Sequence, residues 1–101
     1  MDIQLKKGVL DLCVLSRLSY QDTYGYDIYQ TLDRVLGISE STIYPILRKM
    51  VNEGYLTTYL KASFNGPPRK YFKMTQLGRK KLESRMREWD DFIKGVESLL
   101  V

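Results

Sequence analysis

The hydrophobic pattern of this chain changes from helical to strand spacing at Gly54, and this change restricts the fold more than any other feature. Before Gly54, apolar residues recur every three or four positions, the spacing of amphipathic helices. After it, they recur every second position over 56–61 and again over 71–74, as in β-strands. The segment Asn65-Gly66-Pro67-Pro68 between them is typical of a turn. The pattern therefore predicts a helical region followed by a β-hairpin with a basic tip.

Three helices are predicted before the hairpin, over residues 4–19, 24–36 and 41–53. Gly37 and Gly54 follow the second and third, at positions where helices commonly end. Pro45 conflicts with a regular third helix, because it has no N–H to donate and biases the preceding residue away from helical backbone. Either the first turn of this helix is irregular, or the regular helix starts only near Pro45.

A long last helix is predicted over 76–100, with Thr75 as its N-cap and Gly78 and Gly95 as weak points. Three helices followed by a hairpin are the layout of a winged helix-turn-helix. The sequence thus predicts a mostly α fold with a β-hairpin wing. Residues 1–75 would form a winged helix-turn-helix DNA-binding domain, and residues 76–101 a C-terminal dimerisation helix.

Basic residues are concentrated in the middle of the chain. The whole chain has a net charge of +4, whereas residues 41–81 contain nine basic residues against one acidic residue, a net of +8. The segments 1–40 and 82–101 each sum to −2. A basic segment between acidic ones is typical of a surface that meets a polyanion, although an isolated charge run is often only a solvated face. This one coincides with the predicted third helix and wing, which favours binding to nucleic acid.

The composition excludes several classes of protein. The chain has no histidine and one cysteine, Cys13, which rules out a Ser-His-Asp triad, a His-dependent cysteine nucleophile, an internal disulfide and a thiolate zinc cluster. An enzyme is therefore disfavoured, and no cofactor is expected. No stretch reaches the roughly 18 apolar residues of a membrane span, and residues 1–10 lack the pattern of a signal peptide. We expect a cytoplasmic protein without membrane contact.

Three sequence fragments together resemble the PadR family of transcriptional regulators. They are Tyr24-Gly25-Tyr26, then Ser41-Thr42-Ile43-Tyr44-Pro45-Ile46-Leu47 leading into Asn52-Glu53-Gly54, then Arg69-Lys70-Tyr71-Phe72-Lys73-Met74-Thr75 with Gly78. The match covers nearly the whole chain. The single helix after the wing, in place of a separate helical domain, is similar to that of the smaller subfamily. The resemblance implies a homodimeric winged-helix repressor whose last helix packs on the partner's first helix.

The resemblance also implies a ligand site. Multidrug-binding members of the family stack flat aromatic ligands on a tryptophan of the last helix, and Trp89 occupies the matching place. Two features depart from the family pattern. The connection between the second and third helices is short, and Ile93 replaces an acid that some multidrug-binding relatives carry.

The third helix carries the residues expected to contact DNA. Arg48 and Lys49 project from the face opposite the apolar stripe, where an arginine can pair with the two major-groove acceptors of guanine and a lysine more often contacts phosphate. Ser41, Thr42 and Tyr44 lie at the helix start, where hydroxyl and N–H groups meet phosphate. Four of these residues have a structural alternative: surface charge for Arg48 and Lys49, a helix cap for Thr42, and packing under the wing for Tyr44.

The wing adds four cations that flank its turn, and such cations usually supply non-specific affinity for DNA. Tyr71 and Phe72 of the same segment are expected to pack rather than to stack on bases. The four wing cations are Lys61, Arg69, Lys70 and Lys73.

Apolar surface on the first and last helices predicts a homodimer. Between residues 9 and 18 only Asp11, Ser16 and Arg17 are polar, so the first helix needs cover on nearly every side. The last helix has a short heptad seam. Docking within one chain is an alternative, but the surplus on the first helix favours exchange of helices in a two-fold dimer. The expected interface residues are Val9, Leu12, Leu82, Met86, Trp89, Ile93, Val96 and Leu100.

Trp89 has two interpretations, a core residue of the interface or one wall of a pocket for a small aromatic ligand, with Leu15 and Phe92 beside it. Cys13 is expected to be a small buried hydrophobe rather than a redox sensor. The functional hypothesis is a repressor that binds a palindromic operator, with half-site centres about one helical turn or a multiple of it apart. The alternative is a winged-helix protein-interaction module that does not bind DNA.

Overall fold

The computed structural model describes the backbone of residues 3–101 and the side chains of residues 8–101. Residues 1–2, at the start of the expected DNA-binding domain, lie outside this range. The architecture is mostly helical with a small antiparallel sheet, which confirms the expected winged-helix class. The elements in chain order are α1 (Ile3–Tyr20), β1 (Thr23–Tyr24), α2 (Gly25–Leu36), α3 (Glu40–Asn52), β2 (Leu56–Ser63), β3 (Gly66–Met74) and α4 (Gln76–Leu99).

The sheet has three strands in the order β1-β3-β2, not the two of the expected hairpin. The additional strand, β1, pairs Thr23 with Phe72 and Tyr24 with Tyr71. The sequence predicted a helix from residue 24 and no strand before it, so this strand was missed. A two-residue strand leaves no periodicity in the sequence, because its hydrogen-bond partners lie on β3, nearly fifty positions away.

The turn of the hairpin lies earlier than the sequence indicated. Ser63 pairs with Gly66, which places Phe64 and Asn65 in the turn and both prolines, Pro67 and Pro68, inside β3. The prolines are tolerated there because β1 reaches β3 only at residues 71–72, so this part of β3 has a neighbour on one side alone. The Ser63 hydroxyl donates a hydrogen bond to the carbonyl of Pro67 at 2.8 Å and ties the tip together.

The core lies where α1, α2 and α3 meet the base of the sheet and the start of α4. One of its members, Leu82, was expected in a dimer interface, but it is 5% exposed in the single chain and therefore belongs to the chain's own core. The buried apolar residues are Leu10, Val14, Leu15, Leu18, Ile28, Leu32, Ile38, Ile43, Leu47, Met50, Leu56, Phe72 and Leu82.

Helix α3 is continuous from Glu40, which excludes a start near Pro45. Ser39 is the N-cap residue, so Thr42, the cap alternative, already lies within the first turn. Pro45 is exposed, and its missing N–H leaves the carbonyl of Ser41 without the usual helical partner. The stops at both glycines have left-handed backbone, with φ of 63° at Gly37 and 83° at Gly54, as the sequence indicated.

Candidate nucleic-acid interface

One face of α3 is free of the core and carries a cation. Ile43, Leu47 and Met50 are buried, and the opposite face presents Ser41, Pro45, Arg48 and Asn52 to solvent. Arg48 forms no ion pair with any acidic side chain of residues 8–101. Its guanidinium is therefore available to an external acceptor. Asn52 extends the same face by one turn and has the amide that pairs with adenine in a major groove, although it was not among the residues expected to contact DNA.

The start of α3 carries a group of exposed hydroxyls. The Ser39 hydroxyl lies 3.1 Å from that of Ser41 and 2.8 Å from that of Thr42. Hydroxyls and unpaired backbone N–H groups at a helix start are donors suited to a phosphate.

Tyr44 is half-buried and packs within the chain, on α2 rather than under the wing. A Cβ added at Gly25 would lie 2.7 Å from Cε1 of Tyr44, so the ring covers the first residue of α2. The Tyr44 hydroxyl donates to Glu40 Oε1 at 2.9 Å. Burial, and then this hydrogen bond, raise the pKa of the Tyr44 hydroxyl, which keeps it a neutral donor.

Lys49 lies at the flank of the exposed face. Its Nζ atom is 3.6 Å from Asp11 Oδ2 on α1, and its side chain is 58% exposed. Lys49 thus links α3 to α1 and shares its charge with an acid, in contrast to Arg48.

We expect Asp11→Asn to raise the affinity for duplex DNA about two- to threefold at low salt, because Lys49 loses its partner carboxylate. Fluorescence anisotropy with a shuffled duplex measures this change. Asp90→Asn, which makes the same charge change on an exposed position of α4, is the matched control. Equal effects of the two substitutions would show that only net charge matters.

All four wing cations are exposed, but they divide between the two faces of the hairpin. The pairs Lys61 with Arg69 and Thr57 with Lys73 share one face with Tyr59 and Tyr71, and we call this the outer face of the wing. Lys70 pairs with Leu60 on the other face, which is buried at its base, and its Nζ lies 5.7 Å from the centre of the Phe72 ring.

A second surface, formed by α1 and α4, is apolar and uncovered in the single chain. Met86, Phe92 and Leu100 are exposed by 47%, 56% and 77%. Trp89 and Phe92 lie side by side, with ring centres 6.4 Å apart. Ile93, Val96 and the α1 residues Val9 and Leu12 are half-buried. Of the eight expected interface residues, seven are exposed or half-buried in the single chain, and Leu82 is buried.

Trp89 borders two grooves. One, of about 370 Å³, lies between α1 and α4 and includes Val9, Leu12 and Phe92. The other, of about 400 Å³, extends from Leu12 and Cys13 along α2 to Val35 and Met86. Leu15, expected beside Trp89, lines neither groove and is 1% exposed in the single chain. Burial raises the pKa of the Cys13 thiol, which fits an unreactive packing residue.

None of the helices between residues 3 and 101 is long and apolar enough to cross a membrane. Residues 14–84 match the transcriptional regulator PadR-like family. The structure is similar to a PadR-like transcriptional regulator from Bacillus cereus, with 37% identity, a TM-score of 0.88 and 96% of both chains covered. A Streptococcus transcriptional regulator has 34% identity and a TM-score of 0.91 over 99% of this chain and all of that one.

Bacillus subtilis PadR, in complex with operator DNA, is 28% identical, with a TM-score of 0.70 over 77% of this chain and 46% of that chain. The family match covers most of the chain, and the structural similarity to family regulators extends over nearly all of it. The chain therefore belongs to the PadR-like family and is a winged-helix transcriptional regulator rather than an enzyme.

Proposed function

We propose that the chain is a DNA-binding repressor that acts as a homodimer on a palindromic operator. The observation that carries the proposal is the exposed face of α3, where Arg48 is available to an external acceptor, continued by the cations of the wing. The complex of Bacillus subtilis PadR with operator DNA supports it, because that protein shares this fold.

In this proposal α3 enters the major groove and the wing follows the backbone. Arg48 pairs with the acceptors of a guanine, and the hydroxyls of Ser41 and Thr42 meet a phosphate. Lys49 contacts the backbone, and Tyr44 positions the helix start. The wing cations supply sequence-independent affinity. Residues 1–75 thus form the DNA-binding domain and residues 76–101 the dimerisation helix, in a protein that works in the cytoplasm.

The dimer would cover the apolar surface of α1 and α4. Two copies of α3 would then face half-sites whose centres lie about one helical turn or a multiple of it apart. A small aromatic ligand in a groove beside Trp89 and Phe92 would change the angle between subunits and release the DNA. Titration of Trp89 fluorescence with planar aromatic compounds tests this step, and an unchanged signal across a broad panel would remove ligand release from the proposal.

Selection of duplexes from a random pool, followed by affinity measurements over a range of salt, tests DNA binding. A dimer that neutralises about eight phosphates gives a slope of log affinity against log salt of roughly −7. We expect the selected sequences to contain an inverted repeat. Failure to enrich any sequence, or binding that does not depend on salt, would argue instead for a module that binds proteins.

A further inference from the structure

Three tyrosines from three strands lie side by side on the outer face of the wing. Tyr71 of β3 pairs directly with Tyr24 of β1 and with Tyr59 of β2. The ring centres of Tyr24 and Tyr71 are 5.7 Å apart, as are those of Tyr59 and Tyr71, and the ring planes are tilted by 44° and 36°. We call this row the tyrosine ladder. These distances are typical of favourable aromatic pairs.

Two wing cations lie over rings of the ladder. The Arg69 guanidinium carbon is 4.4 Å from the centre of the Tyr24 ring, and Lys61 Nζ is 4.9 Å from the centre of the Tyr71 ring. Both distances are within the range of a cation–π interaction. Each cation and its ring lie on adjacent strands, two residues away from direct pairing. Long side chains at such diagonal positions can still contact each other.

The ladder brings together cations that would otherwise repel. Lys61 and Arg69 lie directly opposite each other in the sheet, and like charges in that position are destabilising. The negative faces of the rings offset this repulsion. At the end of the ladder, the Tyr59 hydroxyl donates to Asp22 Oδ2 at 2.8 Å and fixes that ring to the segment before β1.

We propose that Tyr24 and Tyr71 are positioning residues for DNA binding, whose rings hold Arg69 and Lys61 in place on the outer face of the wing. The proposal rests on the proposed function, because it assigns these two cations to the DNA backbone. A long cationic side chain loses rotamer freedom when it binds. Rings that hold the side chain in place before DNA binds reduce the conformational entropy that is lost on binding.

The first test is a double-mutant cycle between Tyr24 and Arg69. We expect Tyr24→Leu to weaken binding to a selected duplex about fivefold, and Tyr24→Phe, which keeps the ring, to stay within about twofold of wild type. In an Arg69→Ala background, Tyr24→Leu should have no further effect. The same loss with and without Arg69 would show that Tyr24 acts only through the fold, and would overturn the proposal.

The second test does not use DNA. The order parameter of the Arg69 Nε–H group, from nitrogen relaxation, should exceed that of the exposed Arg87 in wild type and in Tyr24→Phe, and should fall to the Arg87 value in Tyr24→Leu. Equal mobility of Arg69 and Arg87 in wild type would refute the positioning role. If the wild-type protein bound no selected duplex, both the proposed function and the positioning role would fail. If wild type bound and Tyr24→Leu bound equally well, only the positioning role would fail.

Discussion

Gly78→Ala is expected to lower the free energy of unfolding by about 3 kcal/mol or more, the upper range for overpacking a core site. A Cβ at this position would lie 2.2 Å from the carbonyl oxygen of Tyr55 and 2.9 Å from Cγ of Met74. The carbonyl belongs to the backbone and has no rotamer with which to move away. Its position is also held, because it accepts a hydrogen bond from the N–H of Thr75 at 3.0 Å.

Thr75 connects the end of α3 to the start of α4 beside this contact of Gly78 with Tyr55. Its hydroxyl accepts from the N–H of Gly78 at 3.0 Å, which confirms Thr75 as the N-cap, and donates to the carbonyl of Gly54 at 2.6 Å. The end of α3 is thereby attached to the start of α4. The sequence indicated Gly78 as a weak point of the helix, and the structure adds the reason for a glycine there, which is the close approach of another backbone.

Thermal unfolding of Gly78→Ala measures the effect, and we expect the midpoint to fall by roughly 12 °C or more. Gly95→Ala is the matched control, because it lies in the same helix and a Cβ there meets nothing within 4 Å. It should raise stability by about 0.5–1 kcal/mol, the helix propensity gained over glycine. Similar midpoints for the two variants would show that α4 does not approach Tyr55 as described.

Met86→Glu combined with Phe92→Glu is expected to produce a monomer that binds a selected palindromic duplex about 100-fold or more weakly, because the second half-site contact is no longer intramolecular. Both side chains are about half exposed in the single chain. Two carboxylates would therefore be tolerated in the monomer, whereas they would be costly in an apolar interface.

Mass by light scattering and affinity by anisotropy check this prediction together. Arg87→Glu is the control, because it changes the charge of the exposed surface of α4 by the same two units. It should remain dimeric and lose only the affinity due to long-range charge. A double variant that stayed dimeric would place the interface elsewhere, and a monomer that bound as tightly as wild type would remove dimerisation from the DNA-binding mechanism.

Local patterns were sufficient to predict the helices and the wing. The helix stops at Gly37 and Gly54 and the cap at Thr75 depend on residues within one or two turns, and all three are present. The prolines of β3 show the limit of local reasoning. Their turn chemistry is strong, but their place inside the strand depends on where the neighbouring β1 ends.

Among the surface residues too, local patterns predicted some positions, whereas others depend on long-range contacts. The exposed face of α3 follows from helical spacing, so Arg48 was placed correctly on the side opposite the core. The contact of Lys49 with Asp11, the burial of Leu15 and Leu82, and the tyrosine ladder all depend on how distant elements meet. Contacts between residues that are far apart in the chain produce no local pattern in the sequence, which is why they were missed.

The central claim is that α3 reads base edges through Arg48, and the affinity of Arg48→Ala for a selected duplex and for a shuffled one tests it most directly. We expect the affinity for the selected duplex to fall roughly 10- to 100-fold, since a bidentate arginine–guanine pair contributes about 1–3 kcal/mol of discrimination. Affinity for the shuffled duplex should change little more than in Arg87→Ala, which removes one cation from α4. Unchanged preference for the selected duplex in Arg48→Ala would contradict the account.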